Sequence, residues 1–89
     1  MVLAYNVYIL RSILTKGYYV GQTDDLNGRV IKHNAGEVKS TKPHRPWELV
    51  YREEYRTRSE AIRREREMKS RKSRKFIERL IFRDVAQPG

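Results

Sequence analysis

The stretch Tyr5 to Arg11, "YNVYILR", leaves this 89-residue chain the fewest options. Tyr5, Val7 and Ile9 fall on one side of an extended backbone and Asn6, Tyr8 and Leu10 on the other, so a strand here is buried on much of both faces. Gly17 ends a short turn and "YYVG" returns, which predicts an antiparallel hairpin. The hairpin carries Tyr8, Tyr18 and Tyr19. Tyrosine is an ordinary sheet former with a half-buried ring and a wet hydroxyl, so these three have to be judged against the rest of the chain.

In "TDDLNGRVIKHNAG", Thr23 or Asp24 can cap a helix, Leu26 and Val30 share one face, and Asn34 to Gly36 supply a stop. Gly28 inside it costs about 1 kcal/mol against alanine. "EVKSTKPHRP" has no periodicity and two prolines, and reads as a loop made positive by Lys39, Lys42 and Arg45. "WELVYREEYR" predicts a third strand with Trp47, Leu49, Tyr51 and Tyr55 on one face. Ser59 is placed to cap a helix starting at Glu60, and "FIERLIF" sets Phe76, Ile77, Leu80 and Ile81 on one helical stripe. The order β-β-α-β-α-α describes an α+β domain, a small three-stranded antiparallel sheet flanked by helices. It is expected over residues 1–82, with a flexible tail over 83–89.

A chain this short covers only roughly 60% of the surface it exposes when unfolded, so a deep enclosed cavity is not expected. Twenty lysines and arginines against eleven acids leave a formal charge of +9, which favours a polyanionic partner, nucleic acid ahead of an acidic membrane. There is no cysteine; that excludes disulfides and thiolate metal sites and fits a reducing, cytoplasmic location. His33 and His44 alone cannot make a structural zinc site. The opening "MVLAYNVYIL" lacks a basic leader region and is too short to span a bilayer.

Several side chains could carry chemistry. Tyr8 and Tyr19 lie on neighbouring strands and can meet on one face. Arg29 and His33, four apart, project from one side of the first helix. Glu65 follows in "SEAIRREREMK". Together they offer a phenol able to take a proton, a guanidinium fork for phosphate, an imidazole, and a hard oxygen ligand for Mg²⁺.

The succession "VYIL", "YYVG", "DDLNGRVIKHNAG", "KSTKPHRPWELVY" and "SEAIRREREMK" resembles a GIY-YIG nuclease domain over about residues 5 to 82. The likeness is to the small stand-alone kind, related to the catalytic domains of the excision-repair nuclease UvrC and of a structure-specific endonuclease. It implies a metal-dependent phosphodiester endonuclease in which Tyr8 and Tyr19 line the active site with His33, and Arg29 contacts the scissile phosphate. Of Glu60, Glu65 and Glu67, it selects Glu65 as the ligand of one Mg²⁺ or Mn²⁺. Departures are Asn6 at the first signature glycine, Gln22 where some members carry a lysine, and Gly28 where an arginine often precedes the phosphate arginine.

From residue 63 to 75, Arg63, Arg64, Arg66, Lys69, Arg71, Lys72, Arg74 and Lys75 face only Glu65 and Glu67. With Lys39, Lys42 and Arg45 of the loop, this run is the expected phosphate-binding surface. No aromatic residue interrupts it, so recognition through backbone and shape is expected, with little sequence preference. The resemblance implies DNA ahead of RNA. Sharp specificity would call for a partner protein or a branched substrate. A nucleic-acid-binding module without catalysis explains the charge equally well, but not the joint presence of Tyr8, Tyr19, Arg29, His33 and Glu65. A subunit docking through "FIERLIF" is the weaker alternative.

Overall fold

The computed structural model describes residues 4–86. Strands β1 (Tyr5–Ser12), β2 (Tyr18–Thr23) and β3 (Trp47–Tyr55) form one antiparallel sheet in the order β2-β1-β3. The doubly apolar strand is the central one, and Val7, Tyr8, Ile9 and Leu10 are all buried. Three helices cover the sheet: α1 (Leu26–Ala35), α2 (Arg58–Ser70) and α3 (Arg74–Ala86). None of the helices among the described residues is long and apolar enough to cross a membrane.

Strand alternation divides the core in two. Val7, Ile9 and Val20 pack with Ala61, Met68 and Ile77 beneath α2 and α3. Tyr8, Leu10 and Trp47 pack on the other face with Tyr19, Leu26 and Val30, under α1. The stripe Phe76, Ile77, Leu80 and Ile81 covers the first of these clusters, so "FIERLIF" is spent inside the domain and is not a free docking face. Its helix continues to Ala86; the expected tail therefore begins as helix, and its residues 87–89 lie outside the described residues.

Strand β3 departs from simple alternation. Ile9 pairs with Tyr51 and Leu10 with Leu49, leaving Val50 as an extra residue in a bulge. A bulge puts two residues against one and resets which face the following side chains take. Trp47 therefore joins the α1 face while Tyr51 and Tyr55 join the opposite one, instead of all sharing a face.

Both helix starts are shifted from expectation. For α1 the cap is Asp25, whose carboxylate accepts the Gly28 N–H at 3.1 Å, while Thr23 accepts the N–H of Asp25. A Cβ at Gly28 would run into that Asp25 carboxylate, so the glycine that weakens the helix is also what lets the cap close. For α2 the cap is Thr57, in a reciprocal capping box with Glu60, and Ser59 falls inside the helix. The loop before β3 holds one 3₁₀ turn, Lys42–His44.

Candidate active site

Antiparallel pairing sets Tyr8 opposite Gly21 and Leu10 opposite Tyr19, so both phenols rise on the α1 face with ring centroids 6.3 Å apart. Gly21 is required by that approach: a Cβ there would stand 2.5 Å from the Tyr8 hydroxyl oxygen. One turn apart on α1, Arg29 and His33 come down onto these rings. The Tyr8 Oη lies 3.0 Å from His33 Nε2, and the His33 ring meets the Tyr19 ring edge-on at 4.9 Å. The Arg29 guanidinium lies within electrostatic reach of both phenols. The second ring nitrogen of His33, Nδ1, lies 2.8 Å from Thr41 Oγ1 in the loop.

Glu65 reaches the site from α2. Its side chain is 19% exposed and pairs with Lys69 Nζ at 2.9 Å, and Lys69 Nζ stands 5.9 Å from the centre of the Tyr19 ring. Glu60 and Glu67 are occupied elsewhere, Glu60 in the capping box and Glu67 with Arg64 at 2.6 Å. Tyr8, Tyr19, Arg29, His33 and Glu65, spread over 58 positions of sequence, thus converge.

Burial pushes the Tyr8 hydroxyl above its ordinary pKa, only partly offset by the nearby Arg29 guanidinium. Burial, with help from the Arg29 charge, holds the His33 imidazole below 6.5. At neutral pH the pair is therefore a protonated phenol against a neutral imidazole, an acid already hydrogen-bonded to its base.

Among the described residues no three His, Cys, Asp or Glu side chains converge on a metal-sized site. That donor set does not suit zinc. One half-buried carboxylate fits a hard divalent ion that keeps most of its own water. Gln22 lies opposite Val7, on the face away from the phenols, so whatever replaces a lysine at that position does not point at Tyr8.

The basic surface is less uniform than its sequence. Arg64 is a structural residue: its Nε and Nη2 bond the two Glu53 oxygens at 2.9 and 3.0 Å, and Tyr51 and Tyr55 bond the same carboxylate. Arg45 bonds the carbonyls of Lys42 and Asn34 near the end of α1, where a cation meets the negative end of the helix dipole. Arg64 is thus committed to carboxylates, whereas Arg45 keeps donors beyond these two exposed bonds. Ala61 and Met68 mark the buried side of α2; Arg63, with Arg66, projects from the opposite side, away from the phenols. Arg71 lies over the Phe76 ring, and Lys75 is exposed at the start of α3. Lys69, Lys72 and Arg74 line the β2 edge, with Lys72 Nζ on the Tyr18 carbonyl at 2.6 Å and Arg74 on that of Lys16 at 2.8 Å. Lys39 and Lys42 are exposed in the loop that carries Thr41.

Sequence reasoning missed Thr41, Asn34 and Trp47. The Asn34 amide bonds both the N–H and the carbonyl of Trp47 at 2.7 and 2.9 Å, and the Trp47 indole N–H donates to the Thr41 carbonyl at 2.9 Å. These contacts join a helix end, a loop and a strand start, and no periodicity announces them. A buried tryptophan, whose indole N–H needs an acceptor, is the one sequence signal that pointed toward this loop.

A family model described as the GIY-YIG catalytic domain matches residues 4–78. The chain belongs to the GIY-YIG family. Membership places it in a nuclease superfamily, whose signature triplets are Asn6-Val7-Tyr8 and Tyr19-Val20-Gly21 here. A UPF0213 protein of Staphylococcus epidermidis is 57% identical over 53 residues, a match covering 58% of this chain and 65% of that one. A UPF0213 protein of Staphylococcus aureus is 53% identical over 53 residues, with the same coverage. The match thus spans just under two thirds of these relatives. The solution NMR structure of the UPF0213 protein BH0048 from Bacillus halodurans has the same fold, with a TM-score of 0.56 and 34% identity over 89% of this GIY-YIG chain and 83% of that one.

Proposed function

We propose that this GIY-YIG protein is a metal-dependent endonuclease that hydrolyses phosphodiester bonds in DNA, with little sequence preference. The observation that carries the reading is the Tyr8–His33 contact at 3.0 Å, with Arg29 and Glu65 within electrostatic reach of Tyr8. Binding alone needs no such pair. A phosphate, a stronger acceptor than a phenol, draws the Arg29 guanidinium, and the Tyr8 oxygen takes a water. Tyr8 then takes the water's proton as its own passes to His33 Nε2. The water oxygen bonds to phosphorus, and the bond to the 3′ oxygen breaks. Because Tyr8 is held protonated, transfer through it in step with attack is favoured over a preformed phenolate. Arg29 neutralises charge that grows on the phosphate. Glu65 would hold Mg²⁺ or Mn²⁺, which supplies Lewis-acid stabilisation of the leaving oxygen when bound.

The test is cleavage of linear, flapped, branched and single-stranded DNA and RNA with Mg²⁺, Mn²⁺ or EDTA, for the parent and Glu65→Gln. The parent is expected to cut DNA only with metal. Glu65→Gln, which keeps size but loses the charge a divalent ion requires, is expected to fall to background while folding is kept and DNA binding is unchanged or slightly tighter. Parent-like cleavage by a folded Glu65→Gln protein would remove the metal role. No cleavage of any substrate by the parent would leave a binding module in its place.

A further inference from the structure

The His33 ring has two nitrogens, and only one can be the proton acceptor. Thr41 decides which. Its hydroxyl oxygen lies 2.8 Å from His33 Nδ1 and 3.3 Å from the Val38 carbonyl oxygen. A hydroxyl has one proton to give, and a carbonyl can only accept. The Tyr8 hydroxyl has Nε2 as its one acceptor in the hydrogen bonds formed among the described residues; with the Thr41 proton directed at Val38, whose carbonyl also takes the N–H groups of Thr41 and Lys42, the shorter bond is donated by the ring, which puts the imidazole hydrogen on Nδ1. A neutral ring protonated there carries its lone pair on Nε2, facing the Tyr8 hydroxyl. The opposite tautomer would leave the Tyr8 hydroxyl hydrogen without an acceptor in the hydrogen bonds formed among the described residues.

The orientation is enforced from behind. Thr41 is 1% exposed; its N–H bonds the Val38 carbonyl at 3.1 Å, and its own carbonyl takes the Trp47 indole N–H. The titratable and charged groups facing His33 are Tyr8 from β1, Tyr19 from β2 and Arg29 from its own helix. None of them offers Nδ1 an acceptor in the hydrogen bonds formed, so the tautomer rests on Thr41.

We propose that Thr41 is a positioning residue, whose hydroxyl locks His33 as the Nδ1–H tautomer and so assigns Nε2 as the atom that takes the Tyr8 proton. This use rests on the nuclease reading above; the tautomer does not. In the transfer the Tyr8 O–H bond breaks as an N–H bond forms at Nε2, and the bond from Nδ1–H to Thr41 persists in the imidazolium.

The experiment is a long-range proton–nitrogen correlation spectrum of the imidazole rings in the full-length, nitrogen-labelled protein, with His44→Gln to assign the two histidines, alongside single-turnover and steady-state cleavage. The parent is expected to show Nδ1 protonated and Nε2 free. Thr41→Ser keeps the hydroxyl and should keep both spectrum and rate. Thr41→Val keeps the shape without it, and should give a mixed or Nε2–H ring and a kcat lower by on the order of tenfold to a hundredfold, with KM and duplex affinity unchanged. An Nε2–H ring in the parent overturns the proposal whatever the valine variant does, as does a folded Thr41→Val protein that keeps the parent tautomer. If the tautomers behave as expected but nothing is cleaved, the lock stands and its catalytic use falls with the nuclease reading.

Discussion

His33 is fully buried, and two properties of the protein should follow its titration. It accepts a proton only when neutral, and burial and Arg29 hold its pKa below 6.5. Cleavage should therefore persist as pH falls through 6.5 and decline only beyond it, toward the folded value. Folding follows the same sign. The unfolded chain binds this proton near 6.5 and the folded one only at lower pH, so stability complete above 6.5 is lost as pH falls below it. Rate and melting temperature measured across mildly acid pH check both, and His33→Gln should flatten the melting curve in that window. A rate already halved at or above 6.5 would deny His33 the acceptor role. Gly21 gives a second expectation. A methyl 2.5 Å from the Tyr8 hydroxyl cannot be accommodated without moving the ring, so Gly21→Ala should cost about 1–3 kcal/mol in urea unfolding and abolish most cleavage. The five candidate site residues were legible because each falls in a block whose order is distinctive. Thr41 was not, since a threonine in an aperiodic loop gains its meaning only from the ring it touches.

Strands and helices followed from periodicity because burial on alternate or every third to fourth residue is what folds them. Their ends followed less well: Thr23, Asp24 and Asp25 are all competent caps, and only the direction of the incoming chain selects among them. The bulge at Val50 was hidden, because "WELVYREEY" alternates acceptably without it. Its consequence is structural. With Tyr51 and Tyr55 turned onto the α2 side, their hydroxyls and Arg64 converge on Glu53, whose side chain is 17% exposed. Burial pushes the Glu53 carboxyl up, but Arg64, Tyr51 and Tyr55 outweigh it and hold it below 4.5. The Tyr55 hydroxyl is pushed up to about 12 by burial and its bond to Glu53. Arg64→Met should cost about 2 kcal/mol, a charged hydrogen bond's worth. The parent's Glu53 contribution is present above 4.5 and lost as pH falls through the folded value; in Arg64→Met that acid-dependent part should shrink. Urea unfolding at neutral and acid pH reads both, and an unchanged midpoint would make the pair ornamental.

Nine net positive charges on 89 residues attract nucleic acid from any direction, and the sequence shows the sum without showing where each cation points. Orientation depends on which side of α2 is buried, and Ala61 and Met68 settle that only once the sheet beneath them exists. The result is two populations. Lys39 and Lys42 ride on the loop that holds Thr41 against His33, while Arg63 and Arg66 point away from the sheet. Two double variants, Lys39→Gln with Lys42→Gln and Arg63→Gln with Arg66→Gln, remove the same charge from opposite sides. If net charge alone governs binding, they weaken it equally. If DNA lies across the phenols, each phosphate that is no longer neutralised lowers the slope of log affinity against log salt by about 0.9. The loop pair should then lower it by up to about 2 and the outer pair by only a few tenths. Affinity for one duplex at several salt concentrations decides it, with Arg64→Met as a control whose slope should stay at the parent value because Glu53 already holds that guanidinium. Equal losses would mean diffuse attraction without a track over the site. A larger loss from the outer pair would seat DNA on the far side of α2, where Arg29 and Tyr8 could not reach it, and no bound orientation could then serve both the charge and the chemistry.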